Sequence, residues 1–176
     1  AGVPVAVDGE KMKVSDIIRK LNKLGGENGV GILDIVENRL IGMKDHGIYE
    51  TPGGTILYFA HEQLEMLTLD KETAHMKSKL AVDYADLIYN GKWFSALQEA
   101  LTAFAKKANE NCTGTVKLKL YKGNMINAGI TSPNSLYSEN LVTFGESDFD
   151  QAQSAGFINI WGLPTKVQSL LKSGKL

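Results

Sequence analysis

Two short stretches of this chain put polar side chains where chemistry could use them. In the first, residues 34–39, Asp34, Glu37, Asn38 and Arg39 interrupt a hydrophobic run built on Ile32, Ile35, Val36, Leu40 and Ile41. A carboxylate carried into such surroundings must be paired or hydrogen-bonded. Glu37 is therefore exposed, or salt-bridged to Arg39 or another base, or turned toward a ligand. In the second, Tyr49-Glu50-Thr51-Pro52-Gly53-Gly54, a phenol hydroxyl stands just before a glycine-bearing helix start. Helix N-termini offer free N–H groups to anions. Residue types alone favour a structural role for each stretch.

Other familiar chemistry is missing. Gly29-Val30-Gly31 lacks the third glycine and the following helix of a dinucleotide site. There is no Walker-type phosphate loop and no serine in a nucleophile elbow. His46, His61 and His75 have no metal-ligand spacing with acids or cysteine, so no metal site and no catalytic residue is assigned. Cys112 is the only cysteine and can form no internal disulfide, which suits a reducing cytosol; it reads as a small packing residue. Trp93-Phe94, ahead of a helix, reads as a hydrophobic staple or core anchor.

The elements that must position these residues follow from periodicity. Val3, Val5 and Val7 alternate and run into Asp8-Gly9, a strand and turn whose partner would lie before residue 1. Ser15 can cap a helix carrying Ile17, Ile18, Leu21 and Leu24, which Gly25-Gly26 would stop. Residues 31–43 read as one bent strand, residues 44–47 as a turn, and residues 48–50 as a short strand. Pro52 suits the first turn of a helix bearing Ile56, Leu57, Ala60, Leu64 and Leu67. The Gly53-Gly54 pair there suggests close approach of a helix or a ligand. Asp70 caps the next helix, which Asn90-Gly91 ends, and Ser95-x-x-Gln98 is a capping box for another. Residues 115–120 and 125–130, joined through Lys122-Gly123-Asn124, make a β-hairpin. A short segment occupies 136–144. Residues 149–171 form a helical tail interrupted at Gly156, Gly162 and Pro164. The order predicts an α+β fold, an antiparallel sheet with packed helices and a C-terminal helical tail, in one domain over residues 1–176.

Composition sets the outer limits. The 176 residues suffice for one sizeable core, and 43% hydrophobic with 22% charged is ordinary for a globular domain. A net charge of −1 with scattered bases leaves no footprint for nucleic acid. No apolar run approaches the roughly 20 residues of a membrane span. The first ten residues are not a secretory signal.

The two polar stretches are also where the chain resembles argininosuccinate synthase. Residues 34–44 and 47–55 are similar to that family's most recognisable run in its C-terminal half. The similarity continues through residues 67–70, His75-x-Lys77, residues 89–95, 113–123, 135–138 and 156–158, so it covers the chain from Val3 to about Pro164. Many specific blocks in order are a stronger signal than one short motif. The resemblance implies part of a cytoplasmic, homotetrameric ligase that joins citrulline to aspartate and converts ATP, used with magnesium, to AMP and pyrophosphate. It implies that Glu37 and Tyr49 hold the amino-acid end of citrulline. The family's glycine-rich pyrophosphate loop, its aspartate-binding residues and the serines of its citrulline pocket are absent. The resemblance therefore implies a chain truncated from a longer one, carrying one wall of the active site and binding no ATP or magnesium by itself. Residues 165–176 would be an oligomerisation tail. The alternatives are a non-catalytic folding and oligomerisation module and, less well supported by half a pocket, a stand-alone binder of citrulline-like ligands.

Overall fold

A computed structural model of the chain describes residues 1–141 and 150–176. They fall into two compact units, residues 1–136 and 137–176. The fold is α+β, with six helices and three two-stranded antiparallel sheets among the described residues.

The first unit opens with β1 (Ala6–Val7) and β2 (Glu10–Lys11), joined by Asp8 and Gly9, both at positive φ. Asp-Gly in that conformation is a strong hairpin signal, so β1 is paired by the chain that immediately follows it. Helix α1 (Val14–Glu27) begins one residue before Ser15, with Lys13 at its N-cap and no side-chain cap. It runs through Gly25-Gly26 and ends at Asn28, whose side chain donates to the Leu24 carbonyl at 2.8 Å.

Gly25 does not stop the helix because it has another task. A Cβ there would lie 2.6 Å from the Pro52 side chain, at the start of α2 (Pro52–Thr68). Reciprocally, a Cβ on Gly53 would meet the Asn22 Oδ1 at 2.7 Å and the Ile18 carbonyl at 2.9 Å. The two glycines let α1 and α2 cross closely, so the close approach signalled by Gly53-Gly54 is to a helix. Ile17, Leu21, Val30 and Ile56 fill the crossing, with Leu24, Leu57, Leu118, Leu120 and Met125 packed around them.

Helix α2 also packs against the hairpin of β5 (Thr115–Tyr121) and β6 (Asn124–Thr131). Its two-residue turn, Lys122-Gly123, has positive φ at both positions, and a bulge interrupts its register at Lys117/Leu118. Helices α3 (Lys71–Tyr89) and α4 (Ala96–Ala108) start on the caps predicted for them: Asp70 accepts from the Thr73 N–H and Ser95 from the Gln98 N–H. The Gln98 side chain does not complete a capping box. It donates instead to Tyr84 Oη and Thr102 Oγ1, at 3.2 and 3.1 Å, and so ties α4 to α3.

The remaining pair, β3 (Ile32–Asn38) and β4 (Lys44–Glu50), departs from the expected layout. Residues 44–47 are strand, and the turn is at residues 39–43. There the Gly42 N–H donates to the Arg39 carbonyl, and Gly42 takes φ 84°. The Lys-Asp-His-Gly run imitates turn chemistry, but its charged groups find cross-strand partners.

In the second unit, α5 (Gln153–Trp161) and α6 (Leu163–Lys172) are separated at Gly162, with Pro164 in the first turn of α6, where its missing N–H costs little. Gly156 lies inside α5 without breaking it; one glycine in a helix costs only about 1 kcal/mol. The Phe157 and Trp161 rings stack at 5.5 Å. Residues 142–144 and Phe149, expected in a short segment and at the start of the tail, lie outside the described residues.

One ion cluster ties α2 to α3. Glu65 Oε1 stands 2.7 Å from His61 Nε2 and 2.8 Å from Lys77 Nζ, with the Glu65 side chain 14% exposed. Both cations bear on that one oxygen at short range. Burial pushes the Glu65 carboxyl up, but His61 and Lys77 outweigh it and hold it below its ordinary value of 4.5. A carboxyl depressed in the folded state stabilises fully above its unfolded value, and the gain fades as pH falls through the folded value. Glu65→Gln is expected to cost about 2 kcal/mol at pH 7. The gap from wild type should close as the medium is taken below pH 4.5, as urea unfolding at several pH values would show.

Candidate functional site

Glu37 and Tyr49 come together on the β3–β4 hairpin. In its register Leu33 opposes Tyr49, Ile35 opposes Gly47 and Glu37 opposes Asp45. Opposed residues share a face, so these six residues lie on one side of the ribbon, and Asp34, Val36 and Asn38 with Lys44, His46 and Ile48 lie on the other. Tyr49 sits four residue pairs from Glu37, two steps along their shared face, and its ring runs along the strand past Gly47. The Tyr49 hydroxyl donates to Glu37 Oε1 at 2.5 Å.

Arg39 completes the arrangement. Its Nη1 lies 3.2 Å from Asp45 Oδ2 and 3.7 Å from Glu37 Oε1. Glu37 is thus half-buried, hydrogen-bonded by one neighbour and loosely ion-paired with another. Of the alternatives open for it, pairing with Arg39 is realised in part, and Tyr49 is its closest partner. The bond to Glu37 raises the Tyr49 phenol above its ordinary value of 10.0, since a phenolate there would face a carboxylate. At neutral pH the phenol keeps its proton and points it at Glu37 in the hydrogen bond. The lone pairs of its oxygen are then turned away from Glu37, ready to accept from a further donor.

The opposite face is polar but self-contained. His46 Nε2 and Asp34 Oδ1 are 2.5 Å apart, and Lys44 donates to Asn38 Oδ1 at 2.6 Å. The Tyr89 hydroxyl, at the end of α3, donates to the Asn38 carbonyl at 3.3 Å and holds the outer part of the hairpin.

The second stretch resolves differently. The Gly53 N–H at the start of α2 is occupied by Asn22 Oδ1 at 2.8 Å, and the Thr55 N–H and hydroxyl both donate to the Thr51 carbonyl. An open groove of about 390 Å³ beside it is lined by Thr51, Gly54, Thr55, Tyr58, Phe59, Glu62 and Met125. Glu37 and Tyr49 are not part of that groove. Among the described residues no three of His, Cys, Asp and Glu gather in a way that could hold a metal. Cys112 is buried, and burial pushes its thiol up, as expected of a packing residue. No helix among the described residues is long and apolar enough to cross a membrane.

Sequence reasoning singled out Glu37 and Tyr49 but passed over Asp45 and Gly47. The usable signal was the alternation Asp45, Gly47, Tyr49, obscured by reading residues 44–47 as a turn.

Residues 1–168 match the family described as Arginosuccinate synthase C-terminal domain. The chain is 56% identical over 172 residues to the argininosuccinate synthase of Desulforamulus reducens, covering 97% of this chain and 43% of the relative. It is 58% identical over 180 residues to that of Clostridium botulinum strain Alaska E43, covering 99% and 44%. With that of Moorella thermoacetica it shares 58% over 172 residues, covering 97% and 42%. The chain therefore spans less than half the length of these curated relatives. The hairpin with its Glu37–Tyr49 pair lies within the matched region, and the chain belongs to the argininosuccinate synthase family, of which it carries the C-terminal domain.

Proposed function

We propose that this chain is the synthetase part of an ATP-dependent C–N ligase that joins citrulline and aspartate to form argininosuccinate, AMP and pyrophosphate. Within it, Glu37 and Tyr49 bind the α-ammonium end of citrulline. The observation that carries this reading is the 2.5 Å bond between them on one face of the β3–β4 hairpin. An ammonium group is best met by a carboxylate together with a neutral hydroxyl acceptor. Glu37 supplies the charge. By fixing the Tyr49 proton toward itself, it also turns the Tyr49 lone pairs to the same ligand.

Neither residue is catalytic. Anchoring citrulline at its amino-acid end leaves the ureido group free at the other end, so their contribution is positioning. ATP activates the ureido oxygen by adenylation, and the aspartate amine then displaces AMP. The groups that hold ATP, magnesium and aspartate belong to the rest of the enzyme, an N-terminal nucleotide-binding half. Several apolar side chains of the hairpin are exposed, among them Ile32, Val36, Ile41 and Ile48. They supply the surface against which that half completes the pocket. The whole enzyme acts in the cytoplasm as a homotetramer.

A second reading concerns the isolated chain: a folding and oligomerisation module without useful ligand affinity. The α5–α6 pair favours it, because Phe157, Ile160, Trp161, Leu163 and Leu171 are all exposed there. Such a concentration of apolar surface on two short helices marks an association surface. Residues 165–172 of the proposed oligomerisation tail lie in α6, and the rest follow it.

In the whole enzyme, Glu37→Ala is expected to raise the citrulline KM about 10- to 100-fold, and Tyr49→Phe less, with KM for ATP little changed. An unchanged citrulline KM in Glu37→Ala removes this residue from the site. The chain alone, given ATP, magnesium, citrulline and aspartate, should release no pyrophosphate, and adding the N-terminal half should restore release. Sedimentation at several concentrations should show the chain self-associating; a strictly monomeric chain counts against the oligomerisation role.

A further inference from the structure

Gly47 sits in the middle of a strand, where glycine packs nothing and loses more backbone entropy than any other residue. Its backbone does not require it, since Gly47 is not among the residues with positive φ. The explanation lies above it. A Cβ built on Gly47 would come within 2.7 Å of Cε2, Cζ and Oη of Tyr49, and these three are its nearest neighbours. Non-bonded carbons settle at about 3.5–4.0 Å, so any side chain at position 47 pushes the phenol end of the ring aside by about 1 Å. All three belong to the far end of one side chain, so it is the ring rather than the hairpin backbone that has to yield. A hydrogen bond of 2.5 Å does not survive such a shift of its donor with its geometry intact.

We propose that Gly47 is a positioning residue for ammonium recognition: the side chain it lacks leaves the shelf along which the Tyr49 ring lies to reach Glu37. This rests on the reading of Glu37 and Tyr49 as the citrulline ammonium ligands. Gly47 touches no substrate and acts through Tyr49 alone. It also limits what the pair can accept. With the ring held flat along β4, the hydroxyl and the carboxylate present one fixed acceptor pair to one small cationic group, whereas a displaced ring leaves Glu37 as a lone charge beside Arg39.

The test uses the full-length enzyme with Gly47→Ala, Tyr49→Phe and the double variant. Gly47→Ala should raise the citrulline KM about tenfold, with kcat changed less and the melting temperature nearly unmoved. In the Tyr49→Phe background the same substitution should change KM less than about twofold, as expected of two residues that act through one contact. A readout independent of citrulline is the phenolate absorbance titration of Tyr49, taken as the difference from Tyr49→Phe. In Gly47→Ala it should move down toward the ordinary value of 10.0 as Glu37 loses the proton. An unmoved titration overturns the proposal, and so does a KM rise of equal size in both backgrounds. A lowered titration with citrulline KM unchanged in all three variants overturns the ligand reading instead, and the citrulline role of Gly47 with it.

Discussion

The crossing of α1 over α2 fixes everything that follows from it. Gly25 and Gly53 let the two helices touch, and Asn22 reaches across to the Gly53 N–H. That bond does the work of a cap from a different helix, and it sets where α2 begins. The residues just before α2 are the end of β4, and those just after α1 lead into β3. The Thr51 N–H donates to the Gly31 carbonyl at 2.8 Å, and Gly31, at φ 86°, lies so close to Pro52 that a Cβ would stand 2.4 Å from its Cα. Both roots of the hairpin are therefore clamped at the helix crossing. Strands are twisted ribbons whose direction is inherited from their ends, so this clamp aims the face that carries Glu37 and Tyr49.

Beyond its roots the hairpin has little to hold it. A two-stranded ribbon is marginally stable by itself, and this one exposes apolar side chains on both faces. Its register is kept by polar pairs: Asp34 with His46, Asn38 with Lys44, Asp45 with Arg39, and Glu37 with Tyr49. Exposed pairs of this kind each contribute little to stability. Their value is in specifying alignment, because a slip of one residue would move Glu37 to the opposite face from Tyr49. The same bonds that set the register thus bring Glu37 and Tyr49 together, and apolar side chains around them stay exposed.

The electrostatics of the pair suit a cationic guest. Glu37 is never left as a bare half-buried charge, since Tyr49 donates to it and Arg39 stands at 3.7 Å. Arg39 lies nearer to Asp45, at 3.2 Å, so Glu37 is not saturated. A carboxylate with one good hydrogen bond and one distant cation keeps lone pairs for a third partner. The phenol, kept protonated by its neighbour, adds an acceptor without adding charge. In the proposed reading, an ammonium arriving there completes this set of contacts.

Much of this was legible in the chain of residues itself. Local rules acting over three or four residues placed the Asp70 and Ser95 caps, Pro52 in the first turn of α2, the Lys122-Gly123 hairpin and the helical character of the tail. Glu37 and Tyr49 were also singled out, because a carboxylate in an apolar run and a hydroxyl before a glycine-rich helix start are both anomalies that composition exposes. What the sequence could not settle was whatever depended on a distant neighbour. Gly25 read as a helix stop and Gly53 as a close approach to either a helix or a ligand, and only the packing of α1 on α2 shows that each makes room for the other helix. Residues 44–47 read as a turn, because charge and glycine suit turns equally well; their strand conformation depends on Asp34, Asn38 and Arg39 lying opposite. Gly47 carried no local signal of its own, since its role is defined by a ring two residues on that lies back over it. Local chemistry determines where elements begin and end, but which empty space is needed is decided only when another part of the chain comes to fill it.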